Sequence, residues 1–237
     1  MKPFLTAHWE NILNLTYRID PALLQDKLPH GLELDLFADM AHVSLVAFKF
    51  ANTKVRGVKI PFHINFPEIN LRYYVKARAH RGVIFLREFV PRYCVALIAD
   101  KFYNEPYQAF PMTYHSSIQQ DQLQIEHRLQ KSGKWFSIQA QAKNKPFIPA
   151  ETSPEHYFKE HGLGFGRDKR GNTLFYRVEH PVWEIYPVQN YELTVDFSQF
   201  YGPQWRFLNE QQPINALLAK GSAVKVFQPQ PLEKLIE

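Results

Sequence analysis

A chain of 237 residues, 45% hydrophobic and 22% charged, has the composition of a folded globular protein, not a disordered one. Its length can bury a core without disulfide or metal staples. The net charge of +5 is compatible with an anionic partner, but the basic residues are dispersed. Their densest group is Lys76, Arg78, His80 and Arg81, and no basic stripe interleaves with aromatics. Nucleic-acid binding therefore ranks well behind a small-molecule partner. A lone cysteine, Cys94, excludes an internal disulfide and suits a reducing compartment. The N-terminus has no apolar leader, and no run approaches the ~18 apolar residues of a membrane span. The expectation is a cytoplasmic chain without a membrane partner, organised as one domain over 1–237.

Aromatic residues at 15% and 17 prolines favour short strands joined by turns over long helices. Asp20-Pro21 opens a short helix with Leu23, Leu24 and Leu28 on one face, closed by Pro29-His30-Gly31. Residues 42–50 alternate as a strand. Residues 68–79 form a long strand that Gly82 turns into a second strand over 83–90, a hairpin with a basic tip. A buried helix is expected over 93–103. Strands follow near 111–119, 122–129 and 134–142, and Ser153-Pro154 starts another helix. The glycines at 162, 164, 166 and 171 read as a flexible loop. Strands near 173–180 and 182–196, a turn at 198–204, a helix near 213–219 and a strand over 222–227 complete the chain. Strands in runs, not alternating with helices, predict a mainly β fold, an antiparallel closed barrel-like sheet with a few short peripheral helices.

The most informative segment is Glu68-Ile69-Asn70-Leu71-Arg72. In a strand, Glu68, Asn70, Arg72 and Tyr74 share one face, and Ile69, Leu71, Tyr73 and Val75 share the other. The polar set is either a solvated surface or one wall of a pocket. Acid, amide and base together suit a polar ligand, with arginine shaped for a carboxylate. Other candidates are weaker. Gly162-Leu163-Gly164-Phe165-Gly166 lacks the flanking strand and helix of a dinucleotide loop, so no nucleotide is expected. His156 and His161 fall on different helix faces, and no HExxH or paired-cysteine pattern exists, so no metal is expected. Cys94 in an apolar helix reads as core, and there is no G-x-S-x-G elbow.

Several motifs, in order, carry a likeness to a known family. They are Asp20-Pro21, the run Leu28-Pro29-x-Gly31-Leu32-Glu33-x-Asp35, and Glu68-x-Asn70-Leu71-Arg72-x-Tyr74-Val75 with Gly82-Val83-x-Phe85. Pro106-Tyr107, His180-Pro181 and Gly221-Ser222-x-Val224-x-Val226-Phe227 follow. On these the chain resembles the YqjF-like family of unknown function (domain of unknown function 2071), related to the acetoacetate decarboxylase-like superfamily. The resemblance implies a closed β fold with an interior pocket, and Glu68 matches a pocket-lining glutamate of the decarboxylases. Their Schiff-base lysine lies in a Pro-Lys-Lys signature, where this chain has Pro106-Tyr107-Gln108. Tyrosine and glutamine form no imine, and Lys101, back on the expected helix, is no good substitute. Two further departures are Tyr73, where the family usually has threonine, and Glu160-His161-Gly162, where it often has Glu-Arg-Tyr.

The resulting expectation is a pocket lined by Glu68, Asn70, Arg72, Tyr74 and Tyr107, for a small anionic or keto compound, with no cofactor or metal. If catalytic, Glu68 acts as general acid/base with Tyr107 as a donor, in lyase, isomerase or hydratase chemistry and not imine-forming decarboxylation. The alternatives are a non-catalytic ligand-binding or sensory barrel, and a structural Glu68–Arg72 ion pair. Homo-oligomerisation stays open.

Overall fold

The computed structural model describes residues 2–91 and 106–236. The helix expected over 93–103, with Cys94 and Lys101, lies outside the described residues. Two sheets organise the rest. The larger has eleven strands: β1 (Leu5–Ile19), β2 (Glu33–Leu34), β3 (Ala41–Val55), β4 (Phe66–Ala77), β5 (His80–Val90), β6 (Tyr107–Ala109), β10 (Leu163–Arg167), β11 (Thr173–Glu179), β12 (Ile185–Tyr186), β14 (Asn215–Val226) and β15 (Gln230–Pro231). The smaller is an antiparallel meander of β7 (Met112–Gln119), β8 (Gln122–Lys131) and β9 (Lys134–Lys143), with β13 (Val188–Leu193) added beside β9.

The large sheet runs β14-β1-β3-β4-β5-β10-β11, and β11 then pairs with β14 through Val178↔Val226 and Glu179↔Lys225. Its path therefore closes into a ring. The fold is mainly β as expected, but the wholly antiparallel expectation is corrected, because β6 and β10 both lie parallel to β5. Parallel neighbours need a crossover of a dozen or more residues, and each of these strands arrives after one.

The two faces of the ring build two cores. Outward, Leu13, Leu15, Leu71 and Tyr73 meet Leu123, Ile125, Phe136 and Ile138 of the small sheet. Inward, Ile12, Val46, Phe48, Phe66, Val83 and Leu217 face the ring interior. Strict alternation cannot hold along strands this long if they are to bend around an enclosed space. The alternation breaks at four points. β1 changes parity at Asn11 (φ 52°) and β3 at Asn52 (φ 55°). β5 changes it opposite Leu71/Arg72. β14, in unbroken register with β1, changes it around Gly221 (φ 79°), with Leu217 and Ala219 inward before it and Val224 and Val226 inward after it. Each extra residue bends the strand and returns the next inward position to the interior.

Five local expectations are corrected. Gly82 does not turn the β4–β5 hairpin; Arg78 and Ala79 do, with Arg78 left-handed at φ 53°. Gly82 is in β5, where a Cβ would come within 2.6 Å of the Leu163 carbonyl oxygen. Gly164 and Gly166 of the expected glycine loop lie in strand β10, while Gly162 and Gly171 flank it outside the strand. It is the missing side chain of Gly82 that lets β5 and β10 approach closely. The turn expected at 198–204 is helix α3 (Phe197–Tyr201), capped by Asp196 on the amides of Ser198 and Gln199, followed by a 3-10 helix over Pro203–Asn209. The helix expected at 213–219 is the first half of β14, whose pairing with β1 and β12 overrides its local preference. The strand expected over 182–196 splits at Pro187 into β12 and β13, one in each sheet. Two short helices match their proline starts: α1 (Ala22–Gln25), and α2 (Pro154–Lys159) capped by Ser153. A third, α4 (Glu233–Ile236), follows β15. Among the described residues no helix is long and apolar enough to cross a membrane.

Two predictions follow from the packing. A Cβ on Gly221 would lie 2.0 Å from the Trp9 carbonyl oxygen, whereas one on Gly133 at the β8–β9 tip, with the same φ of 79°, meets nothing within 4 Å. Gly133→Ala is expected to cost about 1 kcal/mol of left-handed strain, and Gly221→Ala roughly 1–3 kcal/mol more for the clash, in urea unfolding. His127 of β8 is fully buried, and neither ring nitrogen has a hydrogen-bond partner. Burial holds its pKa down at about 3, against 6.5 when solvated. Its neutral form thus supports the fold above pH 6.5, and this support is lost as pH falls toward 3. Between pH 7.5 and 5 the loss is about 2 kcal/mol, and His127→Leu should flatten that slope in unfolding midpoints measured across the range.

Candidate functional site

β4 carries the expected segment through the middle of the ring. Ile69, Leu71, Tyr73 and Val75 enter the core between the sheets, so Glu68, Asn70, Arg72 and Tyr74 point into the ring. The solvated-face alternative is thereby excluded: Glu68 and Asn70 are each 2% exposed. A cavity of about 160 Å³ occupies this interior, and Glu68, Asn70, Arg72 and Tyr107 all line it. Tyr74 shares the face but does not line the cavity. Its hydroxyl instead bonds Ser44 and the Phe158 carbonyl.

Glu68 is the electrostatic centre. Asn70 Nδ2 donates to its Oε1 at 3.0 Å, and the Tyr107 hydroxyl donates to its Oε2 at 3.2 Å. The Glu88 carboxyl forms a third hydrogen bond. Burial pushes the Glu68 pKa up to about 7, and the three hydrogen bonds and the Arg72 charge pull it only partly back. Two carboxyls in hydrogen-bond contact resist double ionisation, which favours a single shared proton between them. Arg72 is not ion-paired with Glu68. Its Nη2 donates to the Phe158 carbonyl at 3.2 Å, which sets aside the structural-pair alternative.

That carbonyl is a junction. It also accepts from Asn14 Nδ2 at 3.2 Å, while Thr16 links Asn14 to Ser44 at 3.1 and 2.8 Å. β1, β3 and β4 thus grip the end of α2 and aim the following residues inward. Lys159, 3% exposed, lines the cavity with its ammonium on the Glu160 carboxylate. His161 lines it against the Tyr74 ring at 5.0 Å, with its Nε2 3.5 Å from Arg81 Nη2. Burial, then the charges of Arg72 and Arg81, hold His161 well below the usual histidine range, so it is neutral. Five buried atoms around the cavity have no protein partner: Asn70 Oδ1, Arg72 Nε and His161 Nδ1, and, at its aromatic end, Trp9 Nε1 and Thr53 Oγ1. Buried polar groups need a partner, so water or a ligand must meet them.

Glu88, Asn14, Lys159 and His161 were not among the expected site residues. Counting alternate positions from Val83 and Phe85 sends Arg87 inward and Glu88 outward. The β5 bulge reverses this, placing Glu88 beside Asn70 and Arg87 Nη1 on the Phe200 carbonyl outside. Asn14 is hidden by the parity change at Asn11. The departure at Glu160-His161-Gly162 was the one visible signal for the last two. Among the described residues, no three His, Cys, Asp or Glu side chains gather as a metal would require.

One prediction tests the Glu68 environment. A carboxyl raised above its unfolded pKa supports the fold below about 4.5, and that support is lost as pH rises through about 7. Glu68→Gln carries no such penalty. The variant should therefore gain stability relative to wild type between pH 5 and 8, read as a narrowing or inversion of the difference in urea midpoints.

The chain is 24% identical over 209 residues to the uncharacterized protein YqjF of Bacillus subtilis (strain 168), covering 87% of this chain and 84% of that protein. Its fold matches an acetoacetate decarboxylase-like enzyme from Sphingomonas wittichii RW1 with a TM-score of 0.66 at 12% identity, over 98% of this chain and 94% of the other. It also matches the enduracididine biosynthesis enzyme MppR complexed with pyruvate, with a TM-score of 0.67 at 11% identity, over 98% and 91%. Acetoacetate decarboxylase from Legionella pneumophila gives 0.62 at 12% identity, over 97% and 86%. These likenesses establish the acetoacetate decarboxylase-like fold. Residues 6–223 match the family described as "Uncharacterized conserved protein", domain of unknown function 2071, and the chain belongs to that family.

Proposed function

We propose that the ring interior binds a small carboxylate or keto compound, and that Glu68 transfers a proton to or from it. The observation that carries this reading is a buried carboxyl at the cavity wall whose pKa is pushed up to about 7. A proton-transfer group works best when its pKa lies near the working pH. Tyr107, already donating to Glu68, is the accompanying hydrogen-bond donor, and Glu88 shares the proton. Arg72 faces the same space with Nε available for a carboxylate or enolate oxygen. The pyruvate held by MppR supports a keto acid as the ligand class. Lyase, isomerase or hydratase chemistry fits this set. Imine-forming decarboxylation does not, because Tyr107-Gln108 follows Pro106 and the cavity-lining Lys159 is engaged by Glu160.

The test is a panel of 2-oxo acids, 3-oxo acids and simple carboxylates, followed by melting midpoint and by deuterium exchange at the carbon beside the carbonyl. Wild type should be stabilised by at least one keto acid and should exchange its proton, faster as pH rises through about 7 and Glu68 becomes the base. Glu68→Gln should slow exchange by roughly 10²-fold or more. Exchange unchanged in Glu68→Gln removes the proton-transfer role. Stabilisation without exchange in wild type identifies a binding protein instead. No stabilisation by any compound defeats the ligand class.

A further inference from the structure

The interior face is graded along the ring axis, and cross-strand register makes the grading explicit. One row joins Trp9, Phe50 and Phe66 across β1, β3 and β4. A second joins Asn14, Val46 and Asn70, and a third Thr16, Ser44 and Arg72. Glu68 pairs with Phe48 between the first row and the second. Alternate interior positions are about 7 Å apart along a strand, so the change from aromatic to charged occupies only three such steps. At the aromatic end Phe50 stacks on Phe66 at 4.7 Å and 15°. Trp9 packs against Phe48 at 5.0 Å and Phe50 at 5.7 Å. Trp9, Phe48, Phe50 and Phe66 line the same cavity as Glu68 and Arg72.

A small, wholly polar acid would leave these rings without a counterpart. A hydrocarbon would leave Asn70 Oδ1, Arg72 Nε and His161 Nδ1 unmet. The volume of about 160 Å³ is close to that of an apolar cavity that takes up benzene, roughly 150 Å³. Taking the proposed ligand site as given, we infer that its occupant is an acid with an apolar body the size of one aromatic ring, its carboxylate toward Arg72 and its body against Trp9, Phe48, Phe50 and Phe66. In an aryl-substituted 2-oxo acid the carbon between ring and carbonyl lies between the two ends of the molecule, as Glu68 lies between the aromatic row and Arg72. That carbon carries the acidic hydrogen, the one a base at Glu68 would remove. Glu68 as base takes this proton, the C–H electron pair forms the enol double bond, and the carbonyl oxygen is left as an enolate facing Arg72 or Tyr107.

Calorimetric titration of the full chain with three probes tests this: phenylpyruvate, pyruvate and phenylacetone, which keeps the ring and ketone but lacks the carboxylate. Phenylpyruvate should bind at least tenfold tighter than either of the others. Arg72→Met should weaken phenylpyruvate at least tenfold and leave phenylacetone within twofold. Phe50→Leu, conservative enough to fold, should weaken phenylpyruvate and phenylacetone alike and leave pyruvate unchanged. Pyruvate binding as tightly as phenylpyruvate overturns the apolar body while the ligand site stands. Phenylacetone matching phenylpyruvate overturns the orientation of the acid. Binding of none of the three overturns both this inference and the keto-acid reading beneath it.

Discussion

Closing a sheet on itself gives its two faces unequal fates. The outer face of the ring can be covered by a second sheet and becomes an ordinary hydrophobic core. The inner face is enclosed by its own curvature, and whatever side chains it carries are removed from bulk water whether polar or not. β4 carries a polar row on that inner face, so its groups must find partners inside the ring. Asn70 and Tyr107 turn to Glu68, while Arg72, Tyr74 and Asn14 converge on the Phe158 carbonyl. Burying ionisable groups costs stability, and the same desolvation moves Glu68 into the neutral range.

Part of this was legible in the residues. The two-residue period of 68–75 separated the polar from the apolar set, and the structure keeps that separation. The N-terminal signals at Asp20-Pro21 and Ser153-Pro154 each mark a real helix. The three strands of the small sheet's meander were visible because each has one solvated face and a tight turn. Strands that bulge were harder. β1 gave no recognisable alternation because Trp9 and Ile12 both face inward around Asn11. Residues 213–219 looked helical because their partners, β1 and β12, lie far away in sequence.

The site divides along the same line. Glu68, Asn70, Arg72 and Tyr107 were identified from a regular strand and from motif order. Glu88 was hidden by a register shift, and Lys159 and His161 by their dependence on a short helix held from three strands. Tyr74 had the right face but a different task. Its hydroxyl fixes the backbone at Phe158, so it acts on the cavity by placing His161 and Lys159 there.

The four parity changes have a consequence for how such a chain can vary. At an ordinary surface turn, one residue more or less changes the length of a loop. At Asn11, Asn52 or Gly221 it would act as a change of reading frame. Every side chain beyond that point, as far as the strand's end, would exchange inside for outside. Chain length at these positions is therefore information about the contents of the cavity, held in the count of residues and not in their identity.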